Sequence, residues 1–258
     1  MRHWTKQTPF TDPGENAAML ATIGPEPERV IAAIQGLLIH GGAVEYYGLA
    51  QQEFSRETLS VDSRLGAILT ENDRPLSVER APQDRALGTC RDYAVLVCAA
   101  MREHGRPARV RCGFASYLGG AMWEDHWLCE LWSMGRWQRI DAQLDPVLQN
   151  ALQTQFPPAD VPPEAFLTAE TAWRECRAGR LDPASLGHGE ATGLWFVYVN
   201  LVRDRLALDD RITSSWDDWR TAASNPLHMT AEMLASADEL ANIDPIGASS
   251  IIPWWVRT

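Results

Sequence analysis

Three residues of the types that can perform nucleophilic acyl chemistry occur in order along this chain: Cys90, His126 and Asp141. Cys90 opens the stretch GTCRDYAVLVCAAMREHG, Gly88 to Gly105. Apolar residues fall on every face of that stretch, which predicts a helix buried all round. Thr89 is placed to act as N-cap, with Asp92 three residues on in a capping-box position. A cysteine at the first helical position meets unpaired N–H groups and the positive end of the helix dipole. Both favour the thiolate, which is the nucleophile. Its backbone N–H can also point at a developing oxyanion. His126 and Asp141 lie on two strand-like runs, His126–Trp132 and Arg136–Asp141. A turn about Ser133-Met134 sets them directly opposite, with Cβ atoms about 4.5–5.5 Å apart. The imidazole then deprotonates the thiol and protonates a leaving group, while the carboxylate orients the ring. A one-residue slip of that register would move Asp141 to the other face.

Each residue also has a plain structural reading. Cysteine is often a small buried hydrophobe. His126 reads equally as a strand histidine satisfied by a neighbour, and Asp141 as the cap of the turn before Leu144-Asp145-Pro146. It is the joint placement that favours chemistry over packing.

The elements that must position these residues follow from periodicity. Residues 1–24 are polar and broken by Pro9, Pro13 and Gly14, which predicts an arm or loop. Pro25 to Glu28 starts a helix whose apolar positions are Val30, Ile31, Ile34, Leu37 and Leu38, ended by Gly41-Gly42. Ser55 is placed to cap a further helix through about Glu71, and Asn72 to Ala86 reads as loop. After Gly105 and Pro107 end the central helix, Ala108–Tyr117 alternates as a strand. Val110, Cys112 and Phe114 take one face, Arg109 and Arg111 the other. LGGAMWED reads as a loop before the two strands that carry His126 and Asp141. A helix buried against a mostly antiparallel sheet is an α+β architecture. Prolines at 157, 158, 162 and 163 mark a linker. Helices are predicted over Glu164–Ala178, Leu194–Leu208, Ser215–Ala223 and Thr230–Asn242. Asn200, Arg203 and Asp204 read as a salt-bridged polar face. The tail Pro253-Trp254-Trp255 is either docked or a small interaction patch.

Composition narrows the function classes. The chain has 258 residues, with a formal net charge of -11. Nucleic acid and anionic membranes call for basic patches, so neither is expected as a partner. The N-terminus shows no apolar signal core, and no apolar run approaches a bilayer span. The five cysteines are an odd count in a chain too long to need stapling, which fits reduced thiols in the cytoplasm. Cys98, Cys112 and Cys129 fall on apolar faces and read as core. His126 with Cys129 is too sparse for a zinc site, and neither a phosphate loop nor a dinucleotide fingerprint is present, so no metal or cofactor is expected. Ten of the 11 tryptophans lie at or after Trp123, which suggests either a tryptophan-rich core or an aromatic cleft wall. Trp123 itself is the candidate for the wall.

The motifs G-T-C-R-D-Y-A-x-L at 88–96, G-R-P-A-R at 105–109, D-H-W at 125–127 and G-R-W-Q-R-I-D at 135–141 resemble the transglutaminase-like superfamily of papain-like-fold enzymes. The resemblance covers roughly residues 30–150. It implies a Cys-His-Asp triad, carried onto Cys90, His126 and Asp141, and a thioester intermediate. The resemblance also implies an upstream tryptophan in the oxyanion hole, but no tryptophan lies between Trp4 and Trp123. Tyr46, Tyr47 and Gln51 are the candidates to replace it. No calcium site of the animal enzymes is visible. Segments downstream resemble the extension of a bacterial transglutaminase-like group.

The expectation is an N-terminal arm over 1–29, a transglutaminase-like catalytic core over 30–150 and a helical extension over 151–258 packed on the core. The function implied is cysteine-dependent acyl transfer or amide hydrolysis on a peptide or small-molecule amide or thioester. The alternative is a non-catalytic binding or scaffold protein that keeps the fold.

Overall fold

The computed structural model describes residues 2–57, 60–211 and 228–242. The helix expected over Ser215–Ala223 and the Pro253-Trp254-Trp255 tail lie outside those residues. The chain forms two compact units. The first takes residues 1–110 and 127–162; the second takes 111–126 and the described residues after 162.

In the first unit, the predicted N-terminal arm is not one. Short 3-10 turns at Arg2–Thr5 and Gly14–Asn16 and a helix α1 (Ala17–Ala21) bury Trp4, Leu20 and Ile23. Those three apolar residues are too widely spaced to show a helical period, so the sequence reads as loop. The Arg109 guanidinium lies 4.0 Å from the Trp137 ring centroid and 5.6 Å from that of Trp4. It also pairs with Glu130 at 2.7 Å, which ties the N-terminal segment to the strands.

Helix α2 (Pro27–Leu37) passes directly into strand β1 (Leu38–His40) instead of running on to Gly41. Leu38 is drawn into extended backbone by a pairing the sequence does not reveal. Helix α3 (Val61–Glu71) is capped by Ser60, which accepts from the Ser63 N–H at 3.3 Å, rather than by Ser55. Strand β2 (Ala86–Gly88) begins at the last residue of the region expected to be loop and pairs in parallel with β1, His40 opposite Gly88.

Helix α4 (Cys90–Glu103) follows at once. Cys90 through Arg102 are all buried, as the apolar pattern predicts. Its end is a Schellman motif: the Gly105 N–H donates to Arg102 O at 2.9 Å and the Arg106 N–H to Met101 O at 3.0 Å. Gly105 has φ +66°, which accounts for a glycine there.

Strands β3 (Ala108–Ala115), β4 (Trp123–Ser133) and β5 (Arg136–Ile140) come next. The divisions at 110/111 and 126/127 fall inside β3 and β4. The β4–β5 pairs run from Ser133↔Arg136 to Cys129↔Ile140. The turn is therefore Met134-Gly135, both at positive φ (50° and 78°), and not Ser133-Met134. Two left-handed residues give the turn a twist that matches the strands. Carried one residue past β5, this register sets Asp141 against Leu128 and not against His126. The correction is a shift of two residues, so it preserves the sheet face. Helix α5 (Pro146–Leu152) closes this part of the unit, capped by Asp145, which accepts from the Leu148 N–H at 3.0 Å.

In the second unit β6 (Phe166–Thr168), β7 (Leu186–His188) and β8 (Ala191–Thr192) extend the sheet in the order β6-β3-β4-β7-β8. Strand β6 (Phe166–Thr168) pairs antiparallel with β3, Ala115 opposite Phe166. The sequence predicts helix from Glu164, but helix α6 starts only at Ala169 and runs to Arg177, capped by Thr168. A Cβ at Gly113 would lie 2.1 Å from Leu167 O, so β6 reaches β3 only because residue 113 is glycine. Strand β7 (Leu186–His188) pairs in parallel with the start of β4, and β8 (Ala191–Thr192) pairs back on β7. Trp123 therefore opens a strand and does not sit on a loop.

Helix α7 (Leu194–Leu208) has the predicted bounds, and Trp195 through Leu208 are all buried. Its expected salt-bridged polar face is present and is buried. Asp204 accepts from the Arg111 Nε and Nη2 at 2.9 and 2.8 Å and from the Cys112 N–H at 2.9 Å. Helix α8 (Ala231–Asn242) is joined to α6 through Asp238, which accepts from Trp173 Nε1 and from Arg177. Phe114, Trp173, Trp195, Phe196 and Tyr198 dominate the core of this unit. The mixed α+β class expected from the sequence is the class observed.

Candidate active site

The start of α4 is held by Gly41, the segment Leu87 to Thr89, Asp92 of the helix itself and one distant arginine. The Gly41 N–H donates to Gly88 O at 3.0 Å, fixing the chain just before the helix. Thr89 is extended (φ -109°, ψ 168°), as an N-cap must be. Asp92 Oδ2 accepts from the Thr89 N–H at 2.8 Å and from Thr89 Oγ1 at 3.0 Å. Its other oxygen accepts from Arg64 Nη2 at 2.7 Å. Arg64 Nη1 continues to Leu87 O at 3.2 Å. A Cβ at Gly88 would stand 3.2 Å from Asp92 Oδ2, so glycine leaves room for the carboxylate to fold back. Asp92 is therefore the cap the sequence predicts. Cys90 occupies the first helical position, 6% exposed, with an N–H that has no acceptor within the helix.

Asp141 lies one residue past β5 and is 1% exposed. Its N–H donates to Pro158 O at 2.8 Å, and its Oδ1 accepts from the Gln143 N–H at 3.0 Å. That second bond is the turn-capping role also foreseen from the sequence. Pro158 borders a cavity of about 380 Å³ lined by Pro27, Gln35, Gln138, Gln149 and Pro157. Tyr93, three residues after Cys90 and so on the same helix face, has its pKa raised well above the usual phenol value. Burial is the main cause. The charges of Tyr47, Asp145 and Asp141 add to it, and Arg85 opposes.

His126 belongs to the second unit and is 1% exposed. Tyr117 meets its ring edge-on at 5.9 Å between centroids, and Phe166 at 6.4 Å.

The remaining predicted residues fall into two groups. Tyr46, Tyr47 and Gln51 belong to the first unit, in the segment after β1. Gln51 Nε2 donates to Gly41 O at 3.0 Å, and Gly41 in turn is bonded to Gly88. Tyr47 is shifted up, by burial first and then by Asp145, with Arg85 5.9 Å from its ring centroid. Tyr46 is 47% exposed. Trp123 instead belongs to the second unit, half-buried against its apolar cluster.

Sequence reasoning missed Arg64 and the β1–β2 pair. Arg64 reads as one more charge on an amphipathic helix, and a three-residue strand has too few positions to alternate visibly. Two of the other thiols are poor nucleophiles. Burial, with the Cys98 side chain as the next cause, pushes the Cys129 thiol far up. Burial, then the Asp182 and Glu175 charges, raises Cys176 to about 11. Among the described residues no three His, Cys, Asp or Glu side chains group as a metal site. None of the described helices is long and apolar enough to cross a membrane.

Comparison with known proteins agrees with this picture at the level of family. Residues 54–142, which contain Cys90, His126 and Asp141, match the profile of the transglutaminase-like superfamily. Comparison with curated proteins gives no match. A solved structure from Cytophaga hutchinsonii, whose own assignment as a cysteine protease is provisional, is 16% identical with a TM-score of 0.40. The alignment covers 64% of this chain and 44% of that one, so the chain spans less than half of that structure's length. The similarity to the transglutaminase-like superfamily is thus a property of residues 54–142.

Proposed function

We propose that the protein is an enzyme of cysteine-dependent acyl transfer or amide hydrolysis, with Cys90, His126 and Asp141 as its triad. The observation that carries the reading is Cys90 at the first position of a buried, firmly capped helix inside the matched segment. The chain order Cys, His, Asp supports it.

In this reading Cys90 Sγ attacks the carbonyl carbon of an amide or thioester. His126 takes the thiol proton, a C–S bond forms, and the oxygen becomes an oxyanion held by the Cys90 N–H. Collapse breaks the bond to the leaving amine or thiol, which receives the proton from His126. Asp141 holds the imidazole in the productive tautomer. Water or an amine then attacks the thioester, releases an acid or a new amide, and restores the thiol. Tyr46, Tyr47 and Gln51 are the residues of the first unit proposed to line the acyl site, with Trp123 as a more remote candidate. The substrate is a peptide or small-molecule amide or thioester. All five cysteines are free, which fits a reducing compartment such as the cytoplasm.

The test is chemical. Iodoacetamide at neutral pH should label Cys90 first among the five thiols, and His126→Ala should slow that labelling. Uniform labelling, or no effect of His126→Ala, removes the triad reading and leaves a fold-retaining binding protein.

A further inference from the structure

We propose that Asn200 and Arg203 of α7 are positioning residues that hold His126 through its neighbour Asp125. The inference rests on the triad reading above. Asp125 precedes His126 on β4 and is 8% exposed. Asn200 Nδ2 donates to Asp125 Oδ1 at 2.8 Å. Arg203 Nη1 donates to Asp125 Oδ2 at 3.2 Å and to Asn200 Oδ1 at 2.7 Å. Asn200 and Arg203 are three residues apart and so lie on one helix face. They are 0% and 4% exposed.

Packing alone does not call for such a trio. Apolar side chains of similar volume stabilise a buried position as well or better, because the ionic set must overcome its desolvation. What the polar trio adds is direction. Three short bonds fix where Asp125 sits relative to α7. Successive strand residues project to opposite faces, so fixing Asp125 fixes the place and tilt from which His126 leaves the other face. There the His126 ring meets the edges of Tyr117 and Phe166. One residue further along α7, Asp204 holds Arg111 and the Cys112 N–H of β3 in the same manner. The helix thus clamps β3 and β4 through two separate carboxylates. In this reading the C-terminal helices belong to the reaction, not to an appendage.

The experiment follows iodoacetamide labelling of Cys90 by peptide mass spectrometry between about pH 5 and 8, where an unperturbed histidine titrates. The full chain is used, with circular dichroism to confirm folding. Arg203→Met should slow Cys90 labelling about tenfold near neutrality, as a displaced catalytic group does, and should displace the pH midpoint. Arg203→Lys should restore both, because it returns a cation to Asp125. Arg203→Met leaves a buried carboxylate uncompensated and can unfold the protein. Asn200→Leu, which keeps the ion pair, is the second variant and should show the same two changes. Wild-type rates and midpoint in whichever of these variants folds would overturn the proposal. So would a uniform slowing with no shift in midpoint and no rescue by lysine. If His126→Ala itself leaves Cys90 labelling unchanged, the triad reading fails. If His126→Ala slows labelling and the α7 variants do not, only this inference fails.

Discussion

Arg64 and Asp92 meet at 2.7 Å, and the same carboxylate closes back on Thr89, so one buried ion pair holds the helix start that presents Cys90. Removing one partner of such a pair leaves the other charge buried and unpaired. Arg64→Met should therefore destabilise the protein by about 3–5 kcal/mol, read from urea unfolding. Asp92→Ala loses the N-cap bonds as well and should cost at least as much. A loss under about 1 kcal/mol for either variant would show that the pair is not what holds the turn.

The thiols should separate by reactivity. Cys176 is half-buried with its pKa raised to about 11. A raised thiol pKa leaves little thiolate at neutral pH, and that fraction grows tenfold per unit until the pKa is reached. Labelling of Cys176 should therefore be slow at pH 7 and climb through pH 10. A plateau near pH 8 would contradict the assigned environment.

The β4–β5 turn offers a stabilising substitution. Met134 is 91% exposed and held at φ 50°, where a side chain costs energy. Met134→Asn creates the Asn-Gly pair that such turns favour. The midpoint of thermal unfolding should rise, corresponding to about 0.5–1 kcal/mol. An unchanged or lower midpoint counts against the turn as described.

Gly113→Ala should act in the opposite direction. The added Cβ meets the backbone oxygen of Leu167 at 2.1 Å, and a backbone atom yields less readily than a side chain. A loss of about 1–3 kcal/mol is expected in chemical denaturation, typical of overpacking. A neutral result would mean that β6 is not held against β3 at this position.

Asp238 gives a pH signature. Its carboxyl is held below the usual value, first by the Arg177 hydrogen bond, while partial burial opposes and Trp173 and the Arg177 charge add. A depressed carboxyl pKa contributes stability above the unfolded value, near 4, and loses it as pH falls through the folded value. The pair is largely solvated, so the difference between wild type and Asp238→Asn should be under about 1 kcal/mol at pH 7 and should vanish in acid. A difference that persists unchanged at low pH would rule out the carboxylate as its source.

Long, strongly patterned elements were legible from residues alone. The central helix shows its cap, its all-round burial and its glycine stop within eighteen letters, and α7 has the bounds its apolar run predicts. What escaped depends on partners distant in sequence. The fate of Leu38 is decided by Ala86, and the start of α6 by an open edge of β3 that Phe166 fills. The turn register failed by one position because the left-handed pair is Met134-Gly135, and methionine is an unusual residue there. Asn200, Arg203 and Asp204 read as a salt-bridged polar face, but that the face is buried shows only once their counter-charges at 111 and 125 are known. The place of Cys90 at a helix start was legible because helix starts are local, whereas the arginine that steadies that start carries no local mark.

The two places where β3 and β4 change units bear on how this chain can be altered as a gene product. A fragment ending near residue 162 would keep Trp123 and Glu124 but discard Leu186 and Gly187, the strand partners that pair with them. A fragment beginning at 163 would carry α7 without the Arg111 and Asp125 side chains its buried acid and amide are built to meet. A cut made in the order of the sequence therefore breaks the second unit, whose helices are inherited with residues 111–126 or not at all.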